Sequence, residues 1–243
     1  MSDEFSEPQT IASTRRVETV AELVVPFHSR WADALAGDRA ALGELAADCW
    51  APIYAWLRAH GGTAGETVQR VKIFPTWLQT AAPPCAEDAE FARFSDFLLV
   101  RLAAYAEAGF PPLEPVVAVA VDEARAERKF AADGERPPAE MFSRRWSMMI
   151  LEWTLVTLRQ ELETDGKGAH FVHLKGFLNF SGNSEERYAA ITPLIGLSSS
   201  ALHVAVFRFR QRYRELLRHW ISDTVRAAGD VDGELTMLLC AAS

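Results

Sequence analysis

Between Tyr188 and Arg218 the chain reads YAAITPLIGLSSSALHVAVFRFRQRYRELLR, and few local structures accommodate that string. A helix should end at Gly196, because the following turn needs a positive φ that only glycine adopts at low cost. Leu197 then fills the space between two crossing helices, and Ser198 or Ser199 caps the next one by accepting from otherwise unpaired backbone N–H groups. This is the signature of a helix-turn-helix.

The helix that follows divides cleanly around its axis. Leu202, Val206, Phe209, Tyr213, Leu216, Leu217 and Trp220 fall in one apolar stripe. Each such side chain is stabilised by about 1.5–3 kcal/mol on burial, which commits that face to a core. Arg208 and Arg212 flank one edge of the stripe, and Arg210, Arg214 and Arg218 the other. Ser200, His203, Val204, Phe207 and Gln211 face away from it. A helix that reads DNA needs base-reaching side chains at its N-terminal half and cations for phosphates on either side. Its N-terminus adds an attraction for phosphate. The alternative is an amphipathic helix whose arginines merely solvate a bundle.

Charge distribution carries the same message. The net charge is −8, which taken alone disfavours a polyanion partner. Residues 1–140 hold 13 Lys+Arg against 22 Asp+Glu, whereas the remaining residues hold 12 against 11. Ser199–Trp220 contains five arginines and one glutamate. One cationic helix therefore sits in an acidic protein.

Upstream, helical periodicity begins at Phe27, after a polar tail over 1–26. Leu42, Leu45, Cys49, Ile53 and Trp56/Leu57 recur on three- and four-residue steps. Gly61-Gly62 stops that helix, and Thr63 with Glu66 forms a capping box for the next. There Val68, Val71, Phe74 and Leu78 share a face and Pro75 should kink the axis. Phe91–Ala106 predicts another amphipathic helix. Residues 109–140 hold five of the twelve prolines and read as a linker with a short apolar run at Val116–Val121. Arg144–Glu163 predicts a long helix ended by Asp165-Gly166-Lys167-Gly168. The expected fold is all-α: two helical lobes, 27–108 and 141–226, joined by the Pro-rich linker, with a C-terminal helix over 227–243.

Other chemistry finds little support. His170 and His173 could face one way on a helix, but no third ligand stands near them in sequence. Gly166-Lys167-Gly168 lacks the spacing of a phosphate-binding loop, and no nucleophile elbow, zincin or dinucleotide motif occurs. Glu185-Glu186 suit a helix N-terminus better than paired catalysis. The seven tryptophans sit mostly at apolar helical positions. No enzyme, metal or cofactor is expected. Cys49, Cys85 and Cys240 are odd in number and widely spaced, which fits a reducing cytoplasm. The start Met1-Ser2-Asp3-Glu4 lacks the features of a secretory signal, and no apolar run reaches the roughly 18 residues of a membrane span. A soluble cytoplasmic chain is expected.

Tyr188, Ile191, Gly196, Ser198 and the run Val206-Phe207-Arg208-Phe209-Arg210 resemble the C-terminal promoter-reading domain of bacterial sigma factors of the extracytoplasmic-function type. Thr192-Pro193 departs from that pattern, where alanine and an acid are usual. Phe27-His28-Ser29-Arg30-Trp31, Cys49–Arg58, Arg93–Leu99 and Phe142–Trp146 resemble, in order, segments of a planctomycete/verrucomicrobial-type subfamily. The resemblance spans about residues 27–242. It implies a transcription-initiation factor that binds core RNA polymerase through its first domain and DNA through its second. Ser199, Ser200, His203, Val204 and Phe207 would approach base edges, and Arg208, Arg210 and Arg212 would hold phosphates. In the first domain the polymerase-docking segment is replaced by Gln69-Arg70-Val71-Lys72-Ile73-Phe74-Pro75, without acids. The basic promoter-melting stretch is replaced by Ala103–Gly109, without cations. These departures leave a second reading: a non-melting regulatory protein on a degenerate sigma scaffold, binding protein partners.

Overall fold

A computed structural model describes residues 27–80, 91–178, 184–226 and 231–242. The tail over 1–26 lies outside them. Among the described residues every regular element is helical. They are α1 (Phe27–Leu35), α2 (Arg39–Asp48), α3 (Trp50–Ala59), α4 (Ala64–Thr80), α5 (Phe94–Glu107), α6 (Glu123–Asp133), α7 (Pro138–Thr164), α8 (Gly168–Leu174) followed by a 3-10 turn (Lys175–Phe177), α9 (Ser184–Ile195), α10 (Ser199–Thr224) and α11 (Val231–Ala242). A single backbone bridge pairs Arg93 with Val225, and Arg226 N donates to Ala92 O, tying the end of α10 to the start of α5.

The helix ends follow local chemistry. Asp38 accepts from Ala40 and Ala41 at the start of α2, and Asp122 from Arg125 at the start of α6. At α4 the capping box forms as the sequence predicts: Thr63 N donates to Glu66 Oε2 at 2.7 Å, and Glu66 N to Thr63 Oγ1 at 3.3 Å. These bonds hold the Glu66 carboxyl below the usual carboxylate range, chiefly through the Thr63 backbone N–H. Pro75 lies inside α4 and is buried.

Two apolar clusters organise the packing. The larger joins Phe27 and Trp31 of α1, Ile53 and Leu57 of α3, Phe74 and Leu78 of α4, and Phe94 and Leu98 of α5. It also takes Phe142, Trp146, Ile150 and Trp153 of α7, Leu217, Trp220 and Ile221 of α10, and Leu238 of α11. The smaller contains Leu158 of α7, Leu174 of α8, Phe177, and Leu202, Val206, Phe209 and Leu216 of α10. The seam between them therefore crosses α7 between Trp153 and Leu158 and α10 between Leu216 and Leu217. It does not fall at residue 141.

The stretch 109–140, expected as a linker, contains all of α6 and the first turn of α7. Glu127 on α6 accepts from Tyr54 Oη and from Arg58 Nε, both on α3. The apolar run at 116–121 forms no strand. Val116 N and Val117 N both donate to Thr76 Oγ1, which fixes this segment on α4. Asp133, at the end of α6, is buried in ion pairs with Arg144 and Arg145 of α7.

Candidate nucleic-acid interface

α9 and α10 meet at 103° across Gly196-Leu197-Ser198. Gly196 has φ +69°, the left-handed value that the turn demands of it. Of the two candidate caps, Ser198 fills the role: its extended backbone precedes α10 and its Oγ accepts from Ala201 N at 3.3 Å. The Ser198 and Ser200 hydroxyls lie 3.2 Å apart. Ser199 contributes its carbonyl, which lies 2.8 Å from Nδ1 of His203.

The apolar stripe on α10 is buried as its periodicity requires. Leu202, Val206, Phe209, Leu216, Leu217 and Trp220 are all buried, and Tyr213 is half-buried. Burial pushes the Tyr213 phenol up to about 12. On the opposite face Ser199, Ser200, His203, Val204, Phe207, Arg208 and Gln211 are exposed. Phe207 keeps 65% of its surface in solvent and Val204 49%.

The arginines separate into two groups. Arg208 is exposed and makes no ion pair or side-chain hydrogen bond among the described residues. Arg212 is held at two points by Glu161 of α7, Nε to Oε2 at 2.9 Å and a terminal nitrogen to Oε1 at 2.6 Å, and also bonds Glu215 at 3.1 Å. Hydrogen bonds to Glu161 and then Glu215 raise its pKa further above the guanidinium value. Arg210 is half-buried, and its Nε donates to Phe177 O at 2.8 Å. Arg218 pairs with Asp232 of α11 at 2.7 Å. Of the three arginines expected to hold phosphates, two are thus already engaged inside the protein.

Two relationships were not readable from sequence. Tyr188 of α9 stacks on His203, ring centroids 3.9 Å apart and planes 10° from parallel. Glu161 reaches Arg212 from 51 positions earlier, and no local pattern signals such a pairing. Pro193 lies inside α9, exposed, and the helix continues through it to Ile195. His170 and His173 belong to the short α8, and no group of three candidate metal ligands forms among the described residues.

The supposed polymerase-docking helix is less open. On α4, Thr67, Val68, Val71 and Phe74 through Leu78 are buried, and Arg70 lies over the Phe110 ring at 4.1 Å. No single helix among the described residues is long and apolar enough to cross a membrane.

No family model, curated protein or solved structure matches the chain.

Proposed function

We propose that this chain is a sigma-like transcription factor that binds duplex DNA through α9 and α10. The observation that carries the reading is the exposed face at the start of α10: Ser199, Ser200, Val204 and Phe207 stand in solvent, as does His203 although its ring stacks on Tyr188, on a helix whose other face is committed to the core. The 103° crossing lies in the range of helix-turn-helix pairs, which is roughly 90–120°. In this reading those five residues approach base edges, Arg208 neutralises phosphate, and Arg210 and Arg212 reach phosphate only by exchanging internal partners. The resemblance to extracytoplasmic-function sigma factors supplies the context of promoter reading.

For the first lobe a specific observation favours the second reading, a non-melting regulatory or interaction protein on a sigma-like scaffold. Eight of the 17 residues of α4 are buried, and only four, Gly65, Glu66, Gln69 and Thr80, are exposed. Little surface is left there for a polymerase subunit, and the following Ala103–Gly109 stretch brings no cation to melted DNA. Core RNA polymerase is therefore the partner to test alongside DNA.

The deciding experiment is binding of the purified chain to mixed duplex DNA at two salt concentrations, with and without core polymerase. Salt-sensitive binding strengthened by polymerase supports an initiation factor. Salt-sensitive binding indifferent to polymerase supports the non-melting regulator. No binding at low salt overturns the DNA assignment.

A further inference from the structure

A cleft of about 630 Å3 opens between the C-terminal half of α7, α8 and the N-terminal half of α10. Its volume lies within the range of small-molecule sites, about 300–1,000 Å3. Leu158, Leu162, Leu174, Leu197, Val204 and Phe209 supply an apolar lining. Five charged side chains and His170 form its polar part. Four of those charges pair with one another at the surface: Arg212 with Glu161, and Lys167 with Asp165 at 3.3 Å. The fifth is Arg208, which has no ion-pair partner among the described residues.

An apolar wall with one uncompensated guanidinium defines its complement by charge and polarity. Arginine presents a planar fork of donors that matches a carboxylate or sulfonate at two points. The apolar body of such a ligand would be removed from water against the leucines and Phe209. We propose that this cleft binds a small amphipathic anion, an apolar acid whose charged group pairs with Arg208. Occupancy then withdraws Arg208 from DNA, so the ligand acts as a regulator. That regulatory step, unlike the site itself, rests on the DNA-binding reading above.

The test uses the full chain and two fluorescent probes of similar apolar size, anionic 8-anilinonaphthalene-1-sulfonate and neutral N-phenyl-1-naphthylamine. Both should bind at one site. Arg208→Gln should raise the Kd of the anionic probe about tenfold, the scale of one charged hydrogen bond, and leave that of the neutral probe within about twofold. Ala205→Trp, which fills the cleft from α10, should abolish binding of both. As a check that needs no variant, the anionic probe should shift the amide resonances of residues around Leu158, Leu162, Val204 and Phe209 in the unmodified protein. An Arg208→Gln protein with unchanged affinity for the anionic probe overturns the proposal, as do resonance shifts confined to another surface. The probe is read without DNA, so probe binding in a chain that ignores DNA sinks only the DNA reading. DNA binding in a chain that ignores the probe sinks only the cleft. Where both bind, the anionic probe should displace the duplex and the neutral one should not.

Discussion

Tyr188 lies flat against His203, ring centroids 3.9 Å apart, and its other neighbour is the Phe177 ring at 4.8 Å. The stack joins α9 to α10 one turn beyond Ser198 and fixes how the exposed arc is rotated relative to the first helix. Tyr188→Ala removes two aromatic contacts, each worth about 0.5–1.5 kcal/mol beyond area burial. We expect a loss of about 2 kcal/mol in urea unfolding, and a change of less than about 0.5 kcal/mol for Tyr188→Phe, which keeps the ring. An alanine variant as stable as the parent would show that the ring pair holds nothing in place.

Arg208 and Arg212 lie on the same edge of α10, yet they should behave differently. In the DNA-binding reading proposed above, Arg208 neutralises a phosphate, so Arg208→Ala should reduce the slope of log K against log salt by about one. Arg212 is engaged by Glu161, a pair in which both side chains are well exposed. Arg212→Ala should therefore cost less than about 1 kcal/mol of stability and alter the slope less than Arg208→Ala does. Arg210→Ala, which frees the Phe177 carbonyl, should add little to the slope change in a double variant with Arg208→Ala. Equal slopes for the three single variants would remove the distinction.

The contrast shows where sequence reasoning reaches and where it stops. Several features set within one or two helical turns were legible: the stripe from Leu202 to Trp220, the glycine at 196, the serine cap, and the Thr63–Glu66 box; the break at Cys49, which divides the one helix expected before Gly61-Gly62 into α2 and α3, was not. Each depends on neighbours three or four residues away. What depends on distant partners was not. Arg210 and Arg212 look alike on a helical wheel, and only the fold brings Phe177 and Glu161 to them. The linker expectation over 109–140 rested on prolines, but those at 111, 112, 115, 137 and 138 all lie outside α6, between Asp122 and Gly134. That helix is polar enough to resemble a loop. Its anchors, Glu127 and Asp133, are acids whose partners lie on α3 and α7. The cleft beside α10 has three walls from three helices and no sequence signature at all.

The sharing of α7 and α10 between both apolar clusters bears on how the chain unfolds. Trp153 stands at the junction: its ring lies 5.1 Å from that of Trp220 on α10 and 6.2 Å from that of Phe27 on α1. Trp220 Nε1 in turn donates to Thr157 Oγ1 on α7. Two lobes divided at a linker would unfold separately, whereas two clusters threaded by the same helices should unfold together. We expect one transition, coincident in far- and near-ultraviolet circular dichroism. Trp153→Ala should lower the stability of that single transition by about 3–5 kcal/mol. Two resolved transitions, only one of them sensitive to Trp153, would restore the picture of independent lobes.

Glu127 gives a prediction about pH. Burial alone would push its carboxyl up, but hydrogen bonds from Arg58 and Tyr54, aided by the Arg58 charge, outweigh burial and hold it below the usual carboxylate range. A lowered folded-state pKa means that the unfolded chain binds the proton more readily. The stability Glu127 contributes is therefore present above its unfolded value and is lost as pH falls through the folded one. Tyr54 is displaced the other way: burial first, then the hydrogen bond to Glu127 and its charge, raise the phenol. The unfolded phenol ionises first, so stability declines as pH rises past the ordinary tyrosine value of 10.0. Glu127→Gln removes the acid dependence at its source. We expect the variant to be less stable than the parent by about 1–2 kcal/mol near neutrality, with the difference shrinking towards zero below about pH 4. Above the tyrosine value the variant should decline less steeply, because the charge that helps keep Tyr54 protonated is gone, while burial of the ring still raises it. Urea unfolding of both proteins across this range measures the difference, and a gap that does not change with pH would mean that Glu127 acts through shape alone.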